Sequence, residues 1–315
     1  MAINKLGALL SVFALSTTVF ASNTTYYVGM DVVQNDYDGA LTNTSNQEAE
    51  QSRGYSVMAG AKYAVDGKSN LSISLERLEL NNHDGVVSGQ TLDDSLEEYT
   101  DLMTQYTRQI NDTTSFNVSY KYYNTKNYNN AGSGHMRDLD YGGLGVGISH
   151  ELEQGKVALG YSDLDNEGFK RDSVADGQNA YYIESIRSAN LAFERELNNK
   201  TTLDVGYLHF LEDTEVDNNG DGTYYIGSDK FSGDAYYVAA DYKLNNNTSI
   251  KPYYAVLNFD MRDADDSSNN KSGDANMFGV SLVHTFGDGT DRVMSNMSNK
   301  VLNHWIGVVN AQMSH

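Results

Sequence analysis

The chain has 315 residues, no cysteine and a formal charge of −21 at neutral pH. No disulfide framework or cysteine metal site is available to it. So acidic a balance argues against nucleic-acid binding, where phosphates demand Lys and Arg. A single proline, Pro252, suits long unbroken strands, because proline cannot donate to a ladder.

The first residues read as a secretory leader. Lys5 supplies the basic n-region, Leu6–Leu15 the apolar run, and Val19-Phe20-Ala21 a cleavage site, so residues 1–21 form a signal peptide and Ser22 starts the mature chain. The apolar run is shorter than the ~20 residues that span a bilayer. No later stretch is long enough either, so any membrane crossing must be made by strands.

From Thr24 the pattern is strand, long polar loop, strand, short turn, repeated. Thr24–Tyr37 sets Tyr26, Val28, Met30 and Val32 on one face and Gly29 and Asp31 on the other. Period-two segments follow at Arg53–Val65, Leu71–Leu80, Ser95–Ile110, Ser115–Asn127, Asp138–Leu152, Lys156–Leu164, Tyr181–Leu197, Thr201–Asp213, Asp234–Leu244 and Thr248–Arg262. In the last of these we expect Tyr253, Ala255, Leu257, Phe259 and Met261 to face outward. The closing segment, Asn276–Phe286, alternates Phe278, Val280, Leu282, His284 and Phe286 against Met277, Gly279, Ser281, Val283 and Thr285.

The count is twelve strands, with six long loops and five short turns in strict alternation. An even strand number with this asymmetry is what a bacterial outer-membrane barrel needs. Lipid offers no partner to a backbone amide, so a sheet there must close on itself. Only alternate residues meet lipid, which is why the mean hydropathy can be negative. Tyrosine pairs such as 26/27, 122/123, 181/182 and 253/254 fall toward segment ends, where an interfacial belt places them. The soluble rival, a β-sandwich, would show shorter strands and no long/short loop asymmetry.

A leader, a dozen alternating segments and a closing strand that ends on Phe286 together resemble the outer-membrane β-barrel proteins of Gram-negative bacteria, porin-like ones among them. The resemblance is at class level and covers roughly Ser22–Phe286. It implies residence in outer-membrane lipid as a multi-pass barrel, and it makes Phe286 the signal read by the barrel-assembly machinery. The fold expected is therefore all-β: a single antiparallel transmembrane barrel over 22–286, with a short C-terminal amphipathic helix in a periplasmic tail, 287–315.

On the inward parity stand Asp31, Lys62, Glu76, Asp101, Lys121, Glu184, Glu194, Asp204, Asp241, Lys243 and Asp260 as pore-lining candidates. Acids outnumber bases there. The expectation is a porin-like channel for passive diffusion of small solutes, mildly favouring cations or neutral solutes. The alternatives are an ion-paired lumen in a closed barrel, and a surface adhesin or structural protein with no open pore.

In Asp217–Ser228, the residues Asp217, Asn219 and Asp221 occupy positions 1, 3 and 5 of an oxygen-ligand calcium loop. Ser228 stands where the bidentate Glu should be, so Ca²⁺ in an outer loop rests on half a motif, and no other cofactor is indicated. No Ser-x-x-Lys, Gly-x-Ser-x-Gly or His-Glu-x-x-His occurs, which points away from an enzyme. In the tail, Met294, Met297, Val301, Trp305 and Val309 recur at helical spacing with Leu302 and Ile306 beside them. Such a helix could lie on the inner leaflet, enter the bore or meet a periplasmic partner.

Overall fold

The structure is a computed structural model that describes residues 23–38, 50–83, 85–87, 90–92, 95–129, 135–171, 180–218, 223–225, 230–262, 271–286 and 297–313. Residues 1–21, where the sequence suggests a leader, and most of the outer loops lie outside the described residues.

Twelve long strands form one antiparallel sheet that closes on itself. They are β1 (Thr24–Asp38), β2 (Glu50–Asp66), β3 (Ser69–His83), β6 (Ser95–Gln109), β7 (Thr114–Asn129), β8 (His135–Leu152), β9 (Gly155–Arg171), β10 (Ala180–Asn198), β11 (Thr201–Asn218), β13 (Lys230–Lys243), β14 (Thr248–Arg262) and β15 (Lys271–Phe286). Three-residue strands β4 (Gly85–Val87) and β5 (Gln90–Leu92) pair with each other, and β12 (Thr223–Tyr225) pairs with β11. Neighbours in sequence are neighbours in the ring, and the seam is β1 against β15, running from Tyr26 opposite Phe286 to Asp38 opposite Asp274. Each of the twelve long strands therefore has two partners, as hydrocarbon requires. Both ends of the barrel chain lie on the short-turn side. Asn111, Asn198 and Asn245 side chains cap three of those turns by accepting from backbone amides two and three residues on.

The outer wall carries the apolar residues that alternation assigns to lipid: Val32, Leu144, Val146, Leu159 and Phe278 are all more than half exposed. Near the rims, His150 and His284 each sit within hydrogen-bond reach of a wall threonine, Thr114 and Thr248, at 3.0 and 2.9 Å.

One strand contradicts the sequence reading. In β14 the residues expected outside, Tyr253, Ala255 and Leu257, point inward and are 2%, 0% and 1% exposed. Tyr254, at 43% exposure, takes the lipid side. The register fixes this, since Tyr254 lies opposite lipid-facing Phe278 and Asp260 shares its parity. Asp260 is thus on the outer wall and exposed, and it does not line the bore. Both faces of β14 are apolar, so alternation alone could not tell inside from outside.

The interior is layered. Toward the loop end, inward residues are apolar: Val33, Leu78, Leu80, Leu164, Ile186, Phe210, Leu257 and Met277 are all buried. Around the waist they are charged, and toward the short turns polar residues such as Thr25, Thr202 and Asp241 mix with a small apolar cluster of Tyr27, Met58 and Val283.

Candidate functional site: the bore and the helix that fills it

The helix α1 (Met297–Met313) stands inside the barrel, which corrects the periplasmic placement of the tail and selects the bore from the three places open to an amphipathic helix there. Its two faces match the two interior layers. Met297, Val301, Leu302 and Ile306 are at most 4% exposed and pack into the apolar layer with Leu78, Leu80, Phe210, Leu257 and Met277. A helix with side chains is about 10–12 Å across, and this one reaches β6 and β7 on one side of the bore and β10, β11 and β13 on the other. The cost of leaving an apolar lumen wall against water gives the helix its reason to be there.

The polar face of α1 meets the charged waist at three places. At the first, Lys300 Nζ pairs with Asp31 and lies 3.2 Å from Glu76 Oε1. The wall satisfies the same carboxylates: the Tyr253 hydroxyl donates to Asp31 at 2.6 Å, Ser281 Oγ donates to Asp31 at 3.2 Å, and Ser56 Oγ donates to Glu76 at 2.7 Å. Lys300 also lies 5.3 Å from the Tyr253 ring centroid. Asp31 is completely buried, so this pairing is what makes its charge tolerable.

At the second place, Asn299 and Asn303, one turn apart, both donate to Asp101 Oδ2, at 2.7 and 3.0 Å. Lys121 Nζ donates to Asn299 Oδ1 at 2.8 Å and to Asn303 Oδ1, and stands 3.8 Å from Asp101 Oδ1. The Tyr123 hydroxyl donates to the Asn303 carbonyl at 3.0 Å. The third place lies on the opposite wall, where Ser298 Oγ is 3.1 Å from the Tyr237 hydroxyl and accepts from Asn190 at 3.5 Å. The helix thus touches walls on both sides of the lumen, β1, β3, β6 and β7 on one and β10 and β13 on the other.

Its direction follows from the same contacts. Lys300 is at the waist, while His304, one turn later, meets Tyr99 edge-on with ring centroids 5.8 Å apart. Tyr99 is one inward position closer to the loops than Asp101. The helix climbs from mid-bore toward the loop end. Among the described residues, neither ring nitrogen of His304 and not the Tyr99 hydroxyl has a hydrogen-bond partner.

The remaining pore-lining candidates divide. Asp204 and Lys251 form a wall-to-wall ion pair at 3.2 Å, joined by the Tyr237 hydroxyl 3.3 Å from Asp204. Asp241 is buried and accepts from Ser249 at 3.4 Å. Lys62, Glu194 and Lys243 are inward and half-buried toward the short-turn end. Glu184 falls at the bulge between Ile183 and Ser185, and its side chain is outside those described. Of the calcium candidates, Asp217 belongs to β11 and Asn219 and Asp221 lie outside the described residues. Lys251, Tyr253, Ser281 and the helix residues Asn299, Lys300 and Asn303 were not singled out from sequence. The signal was present, an apolar stripe in the tail that needed a partner and a lysine one turn before His304.

No family model and no curated sequence matches the chain. Solved structures do. An outer-membrane channel from Pseudomonas putida F1 is similar at 11% identity, over 85% of this chain and 97% of that one, with a TM-score of 0.57. A deltaS2 mutant of the TodX monoaromatic hydrocarbon channel has 10% identity over 85% and 91%, with a TM-score of 0.48. The translocator domain of the autotransporter NalP from Neisseria meningitidis has 12% identity over 89% and 95%, with a TM-score of 0.44. At such identities the likeness is one of fold. The likeness to the Pseudomonas putida channel, together with ring closure and the lipid-facing band, makes this chain a twelve-stranded β-barrel of the outer-membrane kind, with its own C-terminal helix in the lumen.

Proposed function

We propose that the protein is a gated outer-membrane channel for small solutes, held shut at rest by α1. The observation that carries this reading is the double anchoring of the helix, through Lys300 and Asn303 to one wall and Ser298 to the other. A permanently open porin is a poor fit to a bore so occupied. A purely structural barrel has no need to cover its wall with a tethered helix, since packed wall side chains could do the same.

When the helix leaves, Asp31, Glu76 and Asp101 face the lumen with Lys121 as the cation beside them, so the open waist favours neutral or cationic solutes. Phe286, at the end of β15 and facing lipid, remains our choice for the assembly signal, now internal to the chain. The test is planar-bilayer conductance of the full chain against a chain ending at residue 286. We expect rare openings from the first and steady conductance from the second. A truncated barrel that keeps its heat-modifiable gel migration yet conducts nothing would favour the structural or adhesin reading.

A further inference from the structure

The seat that α1 occupies has a chemistry of its own. At its foot is a place built for an ammonium group: the Asp31 and Glu76 carboxylates, with donors from Tyr253, Ser281 and Ser56 holding the oxygens in position. These residues come from five strands of the wall, β14, β15, β2, β1 and β3, and the group now bound there is the primary ammonium of Lys300. Beside it Asp101, opposite Glu76 in register and 3% exposed, has one carboxylate oxygen without a hydrogen-bond partner among the described residues.

Directly loopward of Asp31, Glu76 and Tyr253 the same strands turn apolar, while Ser56 and Ser281 are followed on the inward face by Gly54 and Gly279. Val33 follows Asp31, Leu78 and Leu80 follow Glu76, and Ala255 and Leu257 follow Tyr253. On β15, Met277 and Ala275 lie beyond Ser281 in the same direction, and on β6 Tyr99 lies beyond Asp101. The wall therefore presents an anionic foot beneath an apolar chamber, and α1 fills it with a lysine below and Val301, Leu302 and Ile306 above.

We propose that this seat is a binding site for a primary alkylammonium, an apolar body carrying one –NH₃⁺ head, which displaces the helix by taking its place. The proposal rests on the gated-channel reading and names the class of ligand that opens the gate. The head must be a hydrogen-bonding cation, because Asp31 and Glu76 offer acceptors on two sides. An alcohol of equal length would leave two buried carboxylates unpaired, and a carboxylate would repel them. A ligand shifts this equilibrium only by binding the vacated seat in preference to the occupied one.

The test uses the full chain with Val301→Cys, which has a single cysteine and is fully buried when the helix is seated. In proteoliposomes, the rate of maleimide labelling at that position reports departure of the helix. Octylammonium should raise it about tenfold or more, while octanol and octanoate at equal concentration should leave it near its starting value. Combining Val301→Cys with Asp31→Asn and Glu76→Gln loosens the helix and raises the starting rate, but octylammonium should then add nothing. Equal acceleration by octanol, or none by octylammonium, overturns the proposal. Gel migration of the barrel in octylammonium checks that the sheet itself is intact. If octylammonium fails while the chain ending at residue 286 conducts, only this ligand assignment is lost. A silent truncated barrel removes the channel reading, whatever the labelling shows.

Discussion

Lys300 Nζ lies 3.2 Å from Glu76 Oε1 and pairs at the same time with Asp31, so one helix side chain bridges two carboxylates of the wall. Removing one partner of a buried pair costs about 3–5 kcal/mol, because the other charge is left uncompensated. The seated state of α1 bears that cost in Lys300→Met, whereas the released state lets water reach Asp31 and Glu76. We expect channel open probability to rise about a hundredfold or more, on that same scale. Single-channel recording would measure it. Lys251→Met makes the contrast, since its Asp204 partner is on the wall and not on the helix. That variant should lower the unfolding temperature of the barrel without raising open probability.

The sheet was legible because lipid enforces one rule on every strand, and the rule has period two. Val32, Leu144 and Phe278 announce their side of the wall without help from any other part of the chain. The interior was legible only where it is charged: Asp31, Glu76, Asp101 and Lys121 could be assigned inward, since none of them belongs in hydrocarbon. The apolar half of the lumen was not legible. Tyr253, Ala255 and Leu257 look like lipid-facing residues, and what makes them inward is a helix more than forty positions later in the sequence. That helix could be read as amphipathic from Met297, Val301 and Ile306, but an amphipathic stripe names no partner. The match between stripe and wall exists only once the ring is closed.

Gly279 allows Tyr253 to reach Asp31. A Cβ at Gly279 would overlap the Tyr253 hydroxyl end and come within 2.8 Å of the Val32 carbonyl. Tyr237 lies over Gly206 in the same way, so inward rings cover backbone that has no side chain of its own. Gly279→Ala must push the Tyr253 ring aside and lose its 2.6 Å hydrogen bond to Asp31. We expect a loss of about 1–3 kcal/mol in barrel stability from overpacking, read by urea unfolding in detergent. Open probability should also rise, because Asp31 would keep one donor fewer. Gly67, with nothing within 4 Å of a built Cβ, is the control position.

The outer wall gives a prediction independent of the helix. Leu144 and Val146 on β8 are 61% and 54% exposed, and they face lipid near the middle of the strand. An arginine there costs about 2–4 kcal/mol at the bilayer midplane. Leu144→Arg should therefore reduce folding into liposomes. The same substitution at Asn190, which faces the bore, should leave insertion unchanged and disturb its contacts with Ser298 and with the backbone at Gly160.

The path of α1 also fixes the end of the bore toward which Met313 points. β15 finishes at Phe286 on the short-turn side, yet α1 begins at the waist and rises, with Ile306 already in the loop-side apolar layer. Seven further residues to Met313 at 1.5 Å each add about 10 Å in the same direction. The C-terminus of the seated helix is then carried toward the cell surface, opposite to the end of the barrel strand that precedes it. An epitope tag appended after His315 through a flexible linker should bind antibody on intact cells, and a tag placed between Gly287 and Asp288 should not. Release of the helix toward the periplasm, as in Lys300→Met, should lower surface labelling of the terminal tag in step with the gain in conductance. Labelling confined to permeabilised cells in both variants would place the helix outside the bore and remove the basis for gating.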